Sequence, residues 1–353
     1  MPDARDVDTR GPASADSDPR RAIATIRGDW RKLAGGHNDR ERATLVALSG
    51  GADSSALLIA LAGVRPARII AAHIRHPLRP APQADADRAA AHELCSRLGV
   101  HCLDAQTGEL RGNAEAAARS ARYAALESLA GDANVGLIAT GHHGDDQAET
   151  VLMRLIRGAG PQGLVGIRAS RRQGACRVIR PMLRVTRRAS EAICSSVGWQ
   201  WAEDQTNRDV TRLRARLRSE VMPALRELSP GLGPRLSERA WVHAGAARVL
   251  RQRAAAIARD ATIDAQHATL ARSALRNEPR VVRSEVIRQI AGSLVGQDGT
   301  DARTARTLER LARAIGDTNG SARTFELRGL SVRVDRDIIN IVSISRPPGE
   351  GRR

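Results

Sequence analysis

The chain has 353 residues, 42% of them hydrophobic, which is enough for two domains with ordinary cores and excludes a disordered or fibrous protein. Its formal net charge of +17 is carried almost wholly by arginine, Lys32 being the sole lysine among 56 basic residues. Such a balance fits a polyanionic partner as well as it fits a GC-rich coding bias, so the motifs must decide. The four cysteines, Cys95, Cys102, Cys176 and Cys194, form no CxxC pair and no zinc-like spacing. With no signal-like N-terminus and no apolar run of spanning length, the expected compartment is the cytoplasm, away from membranes. Residues 1–20, rich in Asp, Pro, Ser and Arg, are expected to form a disordered tail.

Asp18 before Pro19 predicts a helix start, and Gly35, Gly36 and Asn38 its end. Beyond it, β-rich runs at Thr44–Leu48, Arg68–His73, Val100–Asp104, Val135–Thr140 and Arg177–Arg180 alternate with helical stretches at 53–62, 84–98, 114–130 and 146–157. This βαβ rhythm predicts an α/β fold, a doubly wound parallel sheet whose ligands sit at the strands' carboxyl ends. A helix follows at 186–197, then a loop at 199–207, then an arginine-studded helix ending near Pro223. From Pro230 to Asp317 the pattern reads as helical throughout, and Thr324–Ser345 alternates as short strands. The expected domains are therefore 21–229, α/β and catalytic, and 230–353, mainly helical and ending in short strands.

Leu45–Leu48 runs into Ser49-Gly50-Gly51-Ala52-Asp53-Ser54-Ser55 and then an apolar helix. Glycines there let backbone N–H groups approach an anion at a helix N-terminus, the serines add hydroxyl donors, and Asp53 can hold Mg²⁺ or a ligand hydroxyl. The only lysine lies upstream, so a Walker A loop is excluded. His73-Ile-Arg-His76-Pro-Leu-Arg79 follows the second strand; alone, it fits a solvated turn better than a zinc fragment. Gly112 to Tyr123 opens a helix with Glu115, Arg119 and Arg122 along one side.

Richer chemistry lies in Thr140-Gly-His142-His143-Gly-Asp145-Asp146-Gln-Ala-Glu149-Thr150, at a strand end and helix start. Asp146 and Glu149 share a helix face, as do Asp145 and Glu149, and such carboxylates bind Mg²⁺ or a cationic amine. Helix capping explains the two aspartates but not the histidines.

Taken in order, SGGADS, HIRHPLR, GNAEAAARSARY and TGHHGDDQAETVLMRLIRGAG resemble the tRNA(Ile)-lysidine synthetase family of N-type ATP pyrophosphatases, in the PP-loop superfamily. The likeness continues through Arg180-Pro181-Met182-Leu183, Trp201 to Asn207 and Arg214 to Arg218 with Pro223, covering residues 43–230. Pro77, Arg212 and Ala215 depart from the family pattern. The resemblance implies an adenine nucleotide alpha hydrolase-like fold and a ligase that uses ATP and Mg²⁺. Such enzymes adenylate the wobble cytidine of CAU-anticodon tRNA(Ile), and L-lysine then displaces AMP at C2 to give lysidine and diphosphate. It implies that Ser49, Gly50, Gly51, Ala52, Asp53, Ser54 and His73 hold the nucleotide, with Asp53 toward Mg²⁺. Asp146 and Glu149 would position the lysine ammonium, with Asp145, His142 and Arg122 beside them. Arg180, Arg184, Arg214 and Arg218 would meet tRNA phosphates, and residues 230–353 would read the tRNA by shape. A homodimer is compatible with the sequence. The alternative is a PP-loop thiolation enzyme of the 2-thiocytidine type, which the missing CxxC disfavours; a GMP or NAD synthetase fits the carboxylate-rich segment less well.

Overall fold

The computed structural model describes residues 18–64, 67–75, 81–107, 114–160, 163–202, 213–229, 232–295, 302–317, 321–327 and 329–344. Most of the expected tail, and the His76–Arg79, Glu203–Asn207 and Arg212 readings, lie outside these residues. The chain folds as two compact units, 1–150 with 166–238, and 151–165 with 239–353, whereas the sequence places a boundary earlier, at Ser229-Pro230.

In the first unit, α1 (Pro19–Ala34) begins under the Asp18 cap, whose side chain accepts from the Arg20 N–H. Ile26 and Trp30, four apart, are fully buried, and Trp30 Nε1 donates to Thr44 Oγ1 at 3.0 Å. The chain then alternates through β1 (Thr44–Ala47), α2 (Ala52–Ala62), β2 (Ile69–Arg75), α3 (Ala81–Leu98), β3 (His101–Gln106), α4 (Ala114–Asp132), β4 (Leu137–Ala139) and α5 (Gly144–Ile156). A hairpin, β5 (Ser170–Gln173) and β6 (Cys176–Ile179), leads to α6 (Arg187–Ser196).

The six strands lie in the order β3-β2-β1-β4-β6-β5, parallel except for β5 at the edge. β5, Ser-Arg-Arg-Gln, carries no apolar run and no buried residue, so nothing in the sequence announces this edge strand. Both faces of β1, β2, β4 and β6 are covered. Val46, Ala71, Ala139 and Ile179 enter one apolar cluster and Leu45, Ile70, Ile138 and Val178 another, so alternate side chains point into separate cores. β1 and β4 are neighbours from which the strand order runs both ways, which puts the ligand crevice at their carboxyl ends.

Downstream, α7 (Leu213–Arg216), a π-helical turn (Leu217–Val221) and α8 (Met222–Leu228) make one continuous helical segment. The sequence expects this helix to stop near Pro223; it instead passes through, with Pro223 in the first turn after the π turn. Proline is tolerated there because its missing N–H is not needed by the helix beginning at that point.

Next come α9 (Leu232–Ala258), β7 (Thr262–Ile263), β8 (His267–Ala271), α10 (Ser273–Arg276), α11 (Arg280–Val295), α12 (Ala302–Gly316), β9 (Arg323–Leu327), β10 (Leu330–Val334) and β11 (Ile338–Ser343). The strands form an antiparallel sheet ordered β7-β8-β11-β10-β9. Val286 and Ile290 of α11 and Leu311 and Ile315 of α12 share one core with Leu270, Val332 and Ile341. The reading of 230–317 as helical throughout is corrected by β7 and β8. Only Ala268 and Leu270 of β8 are buried, and its pairing with β11 joins residues far apart in sequence, so no local periodicity announces it. Among the described residues no helix is long and apolar enough to cross a membrane.

Candidate active site

The glycine loop leaves β1 at Leu48, whose N–H still bonds Ala72 O at 2.8 Å. Gly50 turns the chain with φ 86°, a conformation that a side chain would strain. Gly51 caps α2 without a side-chain acceptor, so the first N–H groups of the helix remain available to an anion. Ser54 Oγ accepts from Ser49 N at 3.1 Å and lies 3.0 Å from Ser49 Oγ, which closes the loop into a cradle. His73 is buried beneath it, its Nδ1 3.1 Å from Leu48 O, so it braces the strand end that carries the loop. Burial lowers its pKa and favours the neutral ring.

Beside the loop, after β4, Gly141 packs so closely that an added Cβ would lie 3.0 Å from the backbone of Asp53 and Ser54. The loop and the start of α5 are thereby pressed together. His143, 3% exposed, sits at that seam: Nε2 lies 3.5 Å from both Asp53 Oδ2 and Asp146 Oδ2, and Nδ1 lies 3.5 Å from Asp145 Oδ2. Burial pushes the imidazole down, but the three carboxylates outweigh it and raise it to about 9. The Asp145 N–H at 3.2 Å from Nδ1 suits an unprotonated nitrogen; three anions outweigh that single dipole, and the imidazolium prevails.

Each carboxylate also has an arginine. Arg187 Nη1 donates to Asp53 Oδ2 at 3.0 Å, and Arg226 Nη2 to Asp145 Oδ1 at 2.5 Å. Arg214 spans Asp146 Oδ1 (2.7 Å) and Glu149 Oε2 (3.0 Å). Arg218 donates through Nε to Glu149 Oε1 at 2.7 Å and through Nη2 to Asp146 Oδ1 at 3.3 Å. Burial raises Asp145, but His143, the Arg187 backbone N–H and Arg226 hold it at about 2. Burial likewise opposes ionisation of Asp146, yet the charged His143 and Arg214 and the His143 backbone N–H keep its pKa below the usual range. At Asp53 burial wins over His143 and Arg187, and its pKa is raised. Its Oδ1 is buried with no hydrogen-bond partner among the described residues.

His142 stands apart, its Nδ1 2.9 Å from Thr140 Oγ1. Burial and then Arg180 depress it to about 3, so the ring is neutral. Arg122 is exposed on α4. Arg180 is 3% exposed; its Nη1 donates to Arg168 O at 2.7 Å, and its Nη2 lies 3.5 Å from the Tyr123 hydroxyl. Arg184 forms a two-pronged pair with Asp29 of α1 (2.6 and 2.8 Å). Sequence reasoning names the carboxylates and omits His143 as a site residue, although its place between Asp53 and Asp146 makes it their common partner. Its HH doublet is the signal. Arg187 and Arg226 are missed because nothing local ties them to α5.

The family profile of the PP-loop domain matches residues 27–225. The tRNA(Ile)-lysidine synthase of Salinispora arenicola is 41% identical over 220 residues, 60% of this chain and 65% of that one. That of Salinispora tropica is 42% identical over 201 residues, 56% of this chain and 60% of the relative. The chain therefore spans less than two thirds of the length of both Salinispora relatives. The tRNA(Ile)-lysidine synthase of Methylobacterium nodulans is 37% identical over 281 residues, 76% of this chain and 78% of the relative. Among solved structures, U34-tRNA thiolase NcsA from Methanococcus maripaludis, with its 4Fe-4S cluster, aligns at TM-score 0.51 and 16% identity over 63% of this chain and 78% of that one, a likeness of fold. With its glycine loop and acidic helix start meeting at one seam, the chain belongs to the PP-loop family, among the tRNA(Ile)-lysidine synthases.

Proposed function

We propose that the chain ligates L-lysine to C2 of the wobble cytidine in CAU-anticodon tRNA(Ile), at the expense of ATP. The observation that carries this reading is the juxtaposition, through His143, of an anion cradle and a carboxylate cluster. Cytidine O2 attacks the α-phosphorus of ATP, forming an O–P bond as diphosphate leaves. The lysine ε-amine, having lost a proton, then attacks C2; the C2–O2 bond breaks and AMP departs with that oxygen. Ser49, Gly50, Gly51, Ala52 and Ser54 suit the departing diphosphate through N–H and hydroxyl donors.

The orphaned, buried Asp53 Oδ1 fits a hard cation. Mg²⁺ is commonly bound by one or two carboxylates plus substrate phosphates, so a single aspartate beside the diphosphate would suffice. Asp53 would hold it, and the ion would offset charge on the diphosphate. Asp146 and Glu149 are suited to the lysine ammonium, which must compete with Arg214 and Arg218 for them. Asp145, His142 and Arg122 would orient the reacting groups. Arg184, Arg214 and Arg218 would reach tRNA phosphate once released from their acids, and residues 230–353 would grip the tRNA. Thiolation finds no reactive sulfur in Cys194, which touches the first turn of α2 through Ala52 O: it is fully buried, and burial pushes it up to about 12.

The test is to incubate the protein with ATP, Mg²⁺, radiolabelled L-lysine and unmodified CAU-anticodon tRNA(Ile), with a methionine tRNA as control. ATP-dependent label in the isoleucine tRNA alone is expected. Diphosphate release without label would reject lysine as the nucleophile.

A further inference from the structure

Where the amino end of β5 meets the carboxyl end of β6, three guanidiniums crowd around one phenol. Arg171 Cζ lies 4.2 Å and Arg119 Cζ 5.3 Å from the centre of the Tyr123 ring, while Arg119 Nη2 and Arg180 Nη2 each lie 3.5 Å from its hydroxyl. Among the described residues none of the three has an acidic partner. The Nε–H groups of Arg171 and Arg180 are buried and donate to no partner there, and Arg180 as a whole is only 3% exposed. Like charges gathered in a partly dry setting repel, and an unsatisfied buried donor is costly, so this arrangement is incomplete without an anion. The phenol gives partial relief through its ring face, and Arg180, Arg119 and Arg171 together draw its pKa down against the effect of burial.

We propose that Arg119, Arg171 and Arg180 form a phosphate subsite that takes a backbone phosphodiester of the RNA beside the reacting cytidine. The inference rests on the tRNA reading above. Guanidinium forks match phosphate oxygens, and three of them around one point suit a bridging phosphate better than a carboxylate. A nucleotide phosphate shares that chemistry, but the glycine loop already cradles one at the end of β1, and β6 lies two strands away, about 10 Å by ordinary strand spacing. Arg180 is nonetheless level with the site, because Thr140 N donates to Ile179 O at 3.1 Å, aligning the ends of β4 and β6. The subsite therefore flanks His142 and would fix the RNA strand where the base enters.

The experiment measures binding of the full chain to a CAU anticodon stem-loop RNA across a salt series, for wild type, Arg119→Gln and Arg171→Gln, with thermal melts to verify folding. Arg180→Lys serves as a third variant that keeps the buried charge but loses the fork. Each glutamine variant should weaken RNA binding and flatten the log-log salt slope by about 1, the signature of one lost phosphate contact. Labelled ATP should bind all variants as it binds wild type. A neutral methylphosphonate at a phosphate flanking the cytidine should reproduce the loss in wild type and add nothing to Arg171→Gln. Reduced ATP affinity with an unchanged RNA slope would assign the phosphate to the nucleotide and overturn the proposal. Unchanged slopes in folded variants of an RNA-binding wild type sink the subsite alone, whereas a wild type that ignores RNA sinks the tRNA reading with it.

Discussion

At the start of α5, Arg214, Arg218 and Arg226 are each held by a carboxylate, whereas Arg119, Arg171 and Arg180 gather around Tyr123 with no acid beside them among the described residues. The same side chain thus serves two ends within one half of the molecule. Where acids are present, as at Asp145 and Asp146, arginine helps to hold a buried carboxylate below its usual pKa and is itself tied into a closed pair. Where they are absent, it stands charged and underbonded, ready for an oxyanion. Counting arginines along the sequence does not separate these roles; their neighbours do.

The largest expected effect comes from breaking the acid-paired side. Asp146→Ala should lower lysine-dependent turnover by at least about 100-fold while diphosphate release with tRNA persists, since the substrate amine loses its anchor. Lysine-dependent turnover retained in that variant would remove Asp146 from the lysine site. A second break uses acid. The unfolded Asp145 carboxyl titrates near the ordinary 3.8 and the folded one at about 2, so between those values the native form binds fewer protons than the unfolded one. Asp145 therefore adds stability that is complete above pH 4 and is lost as pH falls toward 2, worth about 2 kcal/mol. Denaturant titrations of wild type and Asp145→Asn over that window should converge at the acid end; parallel curves would contradict the assignment. The smallest effect sharpens the contrast. Arg214→Ala with Arg218→Ala should strengthen lysine binding to the tRNA-free protein by about tenfold, the scale of one modest charge pair removed from partly exposed groups. Calorimetry showing weaker lysine binding would mean that the arginines help to hold the amine instead of competing with it.

The catalytic half of the fold is legible because its signals are local. Apolar runs such as Leu45–Leu48 followed by Ser49–Ser55 declare strand, loop and helix within a dozen residues, and the His142–Glu149 segment announces its chemistry by composition. What escapes is pairing across distance. β8 joins β11 some seventy residues downstream, and Arg187 and Arg226 reach α5 from separate helices. His143 is visible as a residue but not as a hub, because its three carboxylate partners include Asp53 from the other side of the crevice. Arg180 and Arg184 read alike in sequence; one proves buried against Tyr123 and the other tied to Asp29, a difference set by tertiary packing alone.

Gly141 has a mechanical consequence. A Cβ at Gly141 would press on the Asp53 and Ser54 backbone at 3.0 Å, so a side chain there would push the glycine loop away from the head of α5 and loosen the seam that joins the cradle to the acidic cluster. The helical segment 213–228 walls the other side of the acidic cluster, meeting α5 through Arg214, Arg218 and Arg226 and anchored by the buried Leu217 and Met222.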